Sequence, residues 1–235
     1  MRRPVRWGVT LALLLIMMGG AIWGLMTMLG RPVGQVAIHG DVRYADVDQL
    51  RERMLPLVAV PFWSVDLPEL RDALEDVAWI KTADIRRHWP DQLEINLTER
   101  QPIAYWNDDQ LIDAEAVLLP RSPKFKETLP HLRGPQARRQ DVLEMVARLK
   151  QTLTPKQLKL TALTLEPRGA WALQLDDAIW VDMGRVRIQP RFQRFIAAWG
   201  DWLGQYAHRI ERVDMRYPHG LSVRWRKAQA PRVAD

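Results

Sequence analysis

Residues Trp7 to Leu29 form 23 consecutive positions without a charged side chain, WGVTLALLLIMMGGAIWGLMTML. As an α-helix such a run is roughly 35 Å long, enough to cross the hydrocarbon of a bilayer. Arg2, Arg3 and Arg6 precede it with no acidic residue, and positive charge before a first span holds the N-terminus in the cytoplasm and sends the downstream chain across. The expected organisation is therefore a cytoplasmic tail at 1–6, a transmembrane helix at 7–29 and an exported remainder. A cleaved signal peptide is the alternative, with Gly19-Gly20-Ala21 as small residues at the cut. Against it, the apolar run continues past Ala21 with no small-x-small pair at its end before Arg31-Pro32. Gly20 and Gly24 have the spacing of a helix-contact motif.

Charge and cysteine usage narrow the exported part. Three of the 34 Lys+Arg lie before the apolar run, which leaves 31 against 28 acidic residues, a net of only +3. No nucleic-acid footprint is expected from that balance. The chain has no cysteine, so a disulfide framework, thiol catalysis and cysteine-held metal clusters are excluded. With 47% hydrophobic and 26% charged residues, the composition is that of one or two globular domains.

Hydrophobic period divides the exported part in two. Gln35 to His39 alternates and ends in Gly40-Asp41, a strand and a turn. Asp46 is a candidate N-cap for a helix with Val47, Leu50, Met54 and Leu57 on one face, ending at the breaker region Pro56 to Pro61. Asp66 caps a second helix with Pro68 in its first turn and Leu67, Leu70, Leu74 and Val77 as its stripe. From Trp79 the period becomes two, turns at Trp89-Pro90-Asp91-Gln92 and resumes through Leu93, Ile95 and Leu97, which predicts an antiparallel hairpin. Strand, helix, helix, strand, strand make one α+β module, residues 34–100. Pro102 marks its boundary.

Beyond it, 103–106, 110–112 and 117–119 read as a meander of strands, and 120–134 as a loop. A helix at 141–153 carries Val142, Met145, Val146, Leu149 and Leu153; strands come next at 158–165, 170–175 and 179–183. A helix at 190–206 carries Phe192, Phe195, Ile196, Trp199 and Leu203. Strands at 209–217 and 221–226, joined by Pro218-His219-Gly220, finish a strand-rich domain at 101–227, and 228–235 reads as a disordered tail.

Chemistry-bearing motifs are sparse. The five histidines lack metal-ligand spacing, no GxxxxGK[ST] or GxGxxG loop occurs, and Ser64, Ser122 and Ser222 have no nucleophile context. No catalytic residue, metal or cofactor is expected. Two aspartate pairs, Asp108/Asp109 and Asp176/Asp177, would suit a membrane-anchored cell-wall hydrolase; both also lie between strands, where aspartate favours turns. Most of the eleven tryptophans read as packing residues. Trp225 differs: it lies between Arg224 and Arg226 on the last strand, where a sheet edge can be open to a partner chain. The alternative is a core tryptophan on a covered strand.

The order of these features resembles the FtsQ/DivIB family of bacterial cell-division proteins. The likeness is carried by Trp79-Ile80-Lys81, Arg87-His88-Trp89-Pro90-Asp91-Gln92-Leu93, Glu99-Arg100-Gln101-Pro102-Ile103-Ala104, Trp106-Asn107-Asp108 and Asp113-Ala114-Glu115, and by Val213-Asp214-Met215-Arg216-Tyr217 with Trp225 eight residues on. The resemblance implies a POTRA domain at 34–100 and a β domain at 101–227, in a non-enzymatic scaffold of the division septum. It implies the bacterial inner membrane, with the C-terminal domains periplasmic. The implied partners are the FtsB/FtsL pair, with FtsB adding a strand beside the last strand, and other membrane division proteins through the POTRA domain. Arg168, Arg216, Tyr217, Leu221, Val223 and Trp225 are the implied partner-binding residues, the arginines for acidic partner groups and the aromatics as anchors. A POTRA-bearing translocation component is disfavoured, because no transmembrane-barrel pattern comes after the first module.

Overall fold

The computed structural model describes residues 4–176 and 178–226, with the side chains of 4–10 and 25–29 excepted. Asp177, the basic residues at the N-terminus and the tail 228–235 lie outside the described side chains. The chain divides into two compact units, Met1–Arg100 and Gln101–Asp235.

The first unit begins with helix α1 (Pro4–Leu29). Its described side chains, 11–24, cover about 21 Å of helix, and the span expected at 7–29 extends beyond them at both ends. Among the described residues no helix is long and apolar enough to cross a membrane. The described large apolar side chains from Leu11 to Trp23 are all exposed, Met17 and Trp23 at 73% each.

Strand β1 (Gln35–His39) is next, then α2 (Val47–Val58), a 3-10 turn at Phe62–Ser64, α3 (Leu67–Glu75), and strands β2 (Ile80–His88) and β3 (Gln92–Glu99). The expected element order is present. Both helices start where their caps dictate: the Asp46 carboxylate accepts the Asp48 N–H at 3.0 Å and that of Asp66 accepts the Glu69 N–H at 3.1 Å. Leu50, Met54, Leu70 and Leu74 are buried, as are Ala83, Ile85, Leu93, Ile95 and Leu97 of the sheet. Sheet order is β1-β3-β2, with β1 parallel to β3 and β2 antiparallel to it.

Three details give the sequence motifs their physical content. Gly40 has φ +122, and a Cβ there would stand 2.2 Å from the Leu97 carbonyl oxygen, so only glycine fits this turn. Glu99 holds the loop before α2: its carboxylate accepts the N–H groups of Arg43 at 2.9 Å, Tyr44 at 2.9 Å and Ala45 at 2.6 Å. On the border strand β2, the Glu75 carboxylate accepts the Ala83 N–H at 2.9 Å, while Arg71 donates to the Ala83 carbonyl at 3.3 Å. These side chains occupy groups that a foreign strand would otherwise pair with. One expectation is corrected. Pro56 does not break α2 but sits inside it, in the last turn and exposed, at the cost of the one N–H that would have bonded the turn before it.

The second unit is a nine-stranded mixed sheet, order β12-β11-β10-β9-β8-β7-β4-β5-β6. Its strands are β4 (Pro102–Trp106), β5 (Gln110–Asp113), β6 (Leu118–Pro120), β7 (His131–Arg133), β8 (Leu160–Leu165), β9 (Trp171–Leu175), β10 (Ile179–Gly184), β11 (Ile210–Asp214) and β12 (Ser222–Trp225). Helices α4 (Arg139–Leu153) and α5 (Ile188–Asp201) share one core with the sheet. Val142, Val146, Leu149, Phe192 and Phe195 meet Trp106, Leu163, Leu173, Val181 and Val213 there. Strands β10 and β11 are parallel, so the chain between them must cross over, and α5 is that crossover.

The structure differs from the sequence expectation in two places here. The loop expected at 120–134 contains β7, a three-residue strand pairing parallel to both β4 and β8. The helix expected through Tyr206 stops at Asp201; Trp202 leaves helical geometry with φ −157, and a 3-10 segment, Leu203–Arg209, leads into β11.

Candidate functional site

Strand β12 ends the sheet: it pairs with β11 and, among the described residues, with nothing else. Its register sets Val223 opposite Val213 and Ser222 opposite Asp214. The Arg226 N–H donates to the Arg209 carbonyl at 2.7 Å, toward β11. Backbone groups alternate along a strand, so those of Arg224 and Ser222 also face β11, while those of Val223 and Trp225 face outward. The opposite border is different. β6 has three residues and ends in Pro120, a blunted edge with little to offer another chain.

The side chains around the outward-facing groups come from separate elements. Val223 and Leu221 are partly buried and pack on the core. Trp225 is 42% exposed and Tyr217 53%. Trp225 meets the Tyr206 ring edge-on, 5.9 Å between centroids, and carries the Arg209 guanidinium 5.8 Å from its ring centre. Arg226 clamps this end of the strand, donating to the Ile210 carbonyl at 3.1 Å and the Ala178 carbonyl at 2.9 Å.

At the other end, two arginines of α5 brace the turn that bears Arg216 and Tyr217. Arg191 donates to the Met183 carbonyl at 2.7 Å and the Arg216 carbonyl at 2.8 Å. Arg194 donates to the carbonyls of Tyr217 at 2.9 Å and Pro218 at 2.7 Å. The turn Pro218-His219-Gly220 is thereby fixed from below. Gly184 leaves room for this brace: its φ is +74 and a Cβ there would stand 2.7 Å from Arg191 Nη1.

Arg216 itself folds onto Asp214, with Nη2 2.7 Å from Oδ2 and Nε 2.9 Å from Oδ1. The Arg216 guanidinium beside Asp214 holds its carboxyl below the ordinary value of 3.8. Arg168 lies in the exposed turn between β8 and β9, at the same end of the sheet. Trp171 pairs with Gly184 and Asp182 with Asp214, so the columns carrying Arg168 and Arg216 are about two strand spacings, ~10 Å, apart. Ala170, Gly184, Arg185, Arg191 and Arg216 line a hollow of about 320 Å³ between them.

Of the six residues named from the sequence, Leu221, Val223 and Trp225 thus lie on or beside the border strand, Arg216 and Tyr217 on the turn before it, and Arg168 across the hollow. Sequence reasoning missed Arg191, Arg194, Tyr206 and Arg209. The i,i+3 spacing of Arg191 and Arg194 on α5 was visible, but all their targets except the Met183 carbonyl are carbonyls 21 to 25 residues away. Asp108 and Asp109 lie in the β4–β5 turn, and of the second pair only Asp176 is among the described residues. Asp108 accepts from Arg133 at 2.6 Å, and Asp176, with φ +50, accepts the Lys159 N–H at 2.9 Å. No group of side chains suited to a metal ion occurs among the described residues.

Comparison with known proteins agrees with this architecture. The family model described as the FtsQ-type POTRA domain matches residues 31–100, and that of the C-terminal part of cell division protein FtsQ/DivIB matches 104–216. The chain is 36% identical over 200 residues to cell division protein FtsQ of Shewanella oneidensis, covering 84% of this chain and 76% of that protein. It is 32% identical over 196 residues to FtsQ of Coxiella burnetii, covering 83% and 81%, and 30% identical over 224 residues to that of Neisseria gonorrhoeae, covering 95% and 92%.

Proposed function

Because the chain belongs to the FtsQ/DivIB family of cell-division proteins, we propose that it is a non-enzymatic, single-pass scaffold that docks the FtsB/FtsL pair by strand addition at β12. Residues 7–29 anchor it in the bacterial inner membrane with the N-terminus cytoplasmic. Residues 34–100 form the periplasmic POTRA domain, which meets other membrane division proteins at the septum, and 101–227 form the β domain. The anchor is supported by the uncharged run and by the bare apolar surface from Leu11 to Trp23. Basic residues before the run support the orientation.

The docking reading rests on one observation. The sheet of the second unit has an unblunted border, β12, whose outward-facing Val223 and Trp225 backbone groups are flanked by exposed Trp225 and Tyr217 side chains. Main-chain groups of that kind give affinity to an added strand, and the aromatic neighbours choose among partners. Arg168 and Arg216 face acidic groups of the partner, while Leu221 and Val223 continue the apolar face beneath it. The test is a titration of the full chain in detergent micelles with the co-purified FtsB–FtsL pair. Trp225→Ala and Tyr217→Ala each weaken binding by about thirtyfold, the size expected of a hot-spot aromatic, with melting unchanged. Equal affinity in both variants removes the site assignment, and no binding by the wild type removes the partner.

A further inference from the structure

Trp89, at the turn between β2 and β3, is 65% exposed, and among the described residues no other large apolar side chain outside α1 is as open to solvent. It does not stand alone. Its ring lies 4.2 Å from that of Trp63, centre to centre, at an interplanar angle of 57°. The buried Phe62 backs the pair, its ring 6.5 Å from that of Trp89, and the exposed Val60 lies just before it in the chain. The result is a two-indole platform on the first unit that none of the unit's own side chains covers over.

The chain fixes where this platform stands. After α1 ends at Leu29, the Arg31 carbonyl accepts the Phe62 N–H at 2.9 Å, and the Asp91 carbonyl accepts the Gly34 N–H at 2.9 Å. Between these two bonds Pro32 bridges to Pro61. Residues Arg31 to Gly34 thus hold, at their two ends, the segments bearing Trp63 and Trp89. Arg31 is only two residues beyond the uncharged run, at most about 7 Å of chain, so the Phe62 backbone starts within about 10 Å of the end of that run. This is comparable with the headgroup layer, about 5–8 Å deep on each side of a bilayer.

We infer that Trp63 and Trp89 seat the first unit on the periplasmic leaflet of the membrane, with both indoles at the boundary between headgroups and acyl chains. The exposed Arg31 meets lipid phosphate beside them. The inference rests on the reading of 7–29 as a membrane anchor and goes beyond it, by giving the exported part a lipid-facing surface of its own. Tryptophan suits this layer because its apolar body and its N–H are satisfied there together. Lipid fits the platform better than a groove on another protein, because main-chain bonds tie both tryptophans to the very residues that the anchor holds at the bilayer. Seated so, the unit keeps one face toward the membrane instead of turning freely about Gly30.

The test uses the full chain carrying fluorotryptophan, in nanodiscs of equal parts phosphatidylethanolamine and phosphatidylglycerol, read by fluorine NMR. Each resonance is assigned by replacing one tryptophan at a time. A nitroxide at the top of the lipid acyl chain removes most of the Trp63 and Trp89 signals. The Trp79 signal, from the opposite end of β2, roughly 30 Å away, stays sharp, and Trp23, inside the apolar run, reports the anchor. In Trp89→Glu the loss at Trp63 shrinks and a soluble gadolinium chelate broadens Trp63 instead, with melting unchanged; Trp89→Gln takes its place if that variant melts early. Sharp Trp63 and Trp89 signals beside a broadened Trp23 overturn the inference and leave the anchor standing. So does a loss at Trp63 that survives the substitution, or a response of the two signals to added FtsB–FtsL pair but not to lipid. A Trp23 signal that the lipid nitroxide does not reach overturns the anchor itself.

Discussion

Replacing Val223 with proline separates the outer edge of β12 from its inner edge. The Arg226 N–H bonds to Arg209 on β11, so by alternation the Val223 N–H points away from β11 and takes no part in that ladder. Proline therefore removes no intramolecular hydrogen bond, its fixed φ is tolerated on an edge strand, and Ser222 before it is already extended. The expected stability loss is about 1 kcal/mol, chiefly from trading partly buried valine for the ring. Docking loses much more. One main-chain hydrogen bond to the incoming strand disappears, worth about 1 kcal/mol net, its acceptor is left unsatisfied at about 1–3 kcal/mol, and the ring stands where the neighbouring backbone must approach. The affinity for the FtsB–FtsL pair should fall about thirtyfold to a thousandfold. Arg224→Pro is the converse: its N–H faces β11, so it costs about 3 kcal/mol of folding stability. Calorimetric melting and titration of the two variants decide the matter. If Val223→Pro melts as early as Arg224→Pro, or binds like the wild type, the assignment of outward and inward groups on β12 is wrong.

Two further outcomes concern single residues. Glu99→Ala frees three N–H groups of the loop at Arg43 to Ala45, and amide exchange at Tyr44 and Ala45 should quicken about thirtyfold, equivalent to ~2 kcal/mol of local stability; unchanged protection refutes the bracing role. The Asp214 carboxyl should titrate below 3.8 by carbon NMR and return toward that value in Arg216→Ala. Since the folded value is the lower one, the stabilisation from this pair is present above pH 3.8 and disappears as pH falls through the folded value. A midpoint at or above 3.8 contradicts the paired geometry.

Features of the fold set by neighbours in sequence were legible before the structure. Asp46 and Asp66 cap their helices through N–H groups two and three residues on, and the β2–β3 hairpin arises from a change of period around one turn. Features set by distant neighbours were not. In β7 only Leu132 is buried between exposed His131 and Arg133, so three residues give no period; their strand geometry comes from β4 and β8 on either side. The end of α5 was hidden for a related reason. Phe192, Phe195, Ile196, Trp199 and Leu203 keep helical spacing, yet Trp202 turns the chain so that Leu203 is fully buried from a 3-10 segment. At the candidate site, Trp225 was singled out on its strand, whereas Tyr206 and Arg209 reach it only because the 3-10 segment feeds the strand beside it.

The order of the sheet also sets what its last strand depends on. β12 is the last of the nine strands in chain order and pairs with β11, itself laid against β10 after the α5 crossover. In the finished sheet β11 covers the backbone groups of β10, and β12 covers those of β11, so the bare outer groups at Val223 and Trp225 belong to a strand that β11 alone holds in place. Whatever loosens β11 from β10 therefore undoes that border as well, without touching β12 itself.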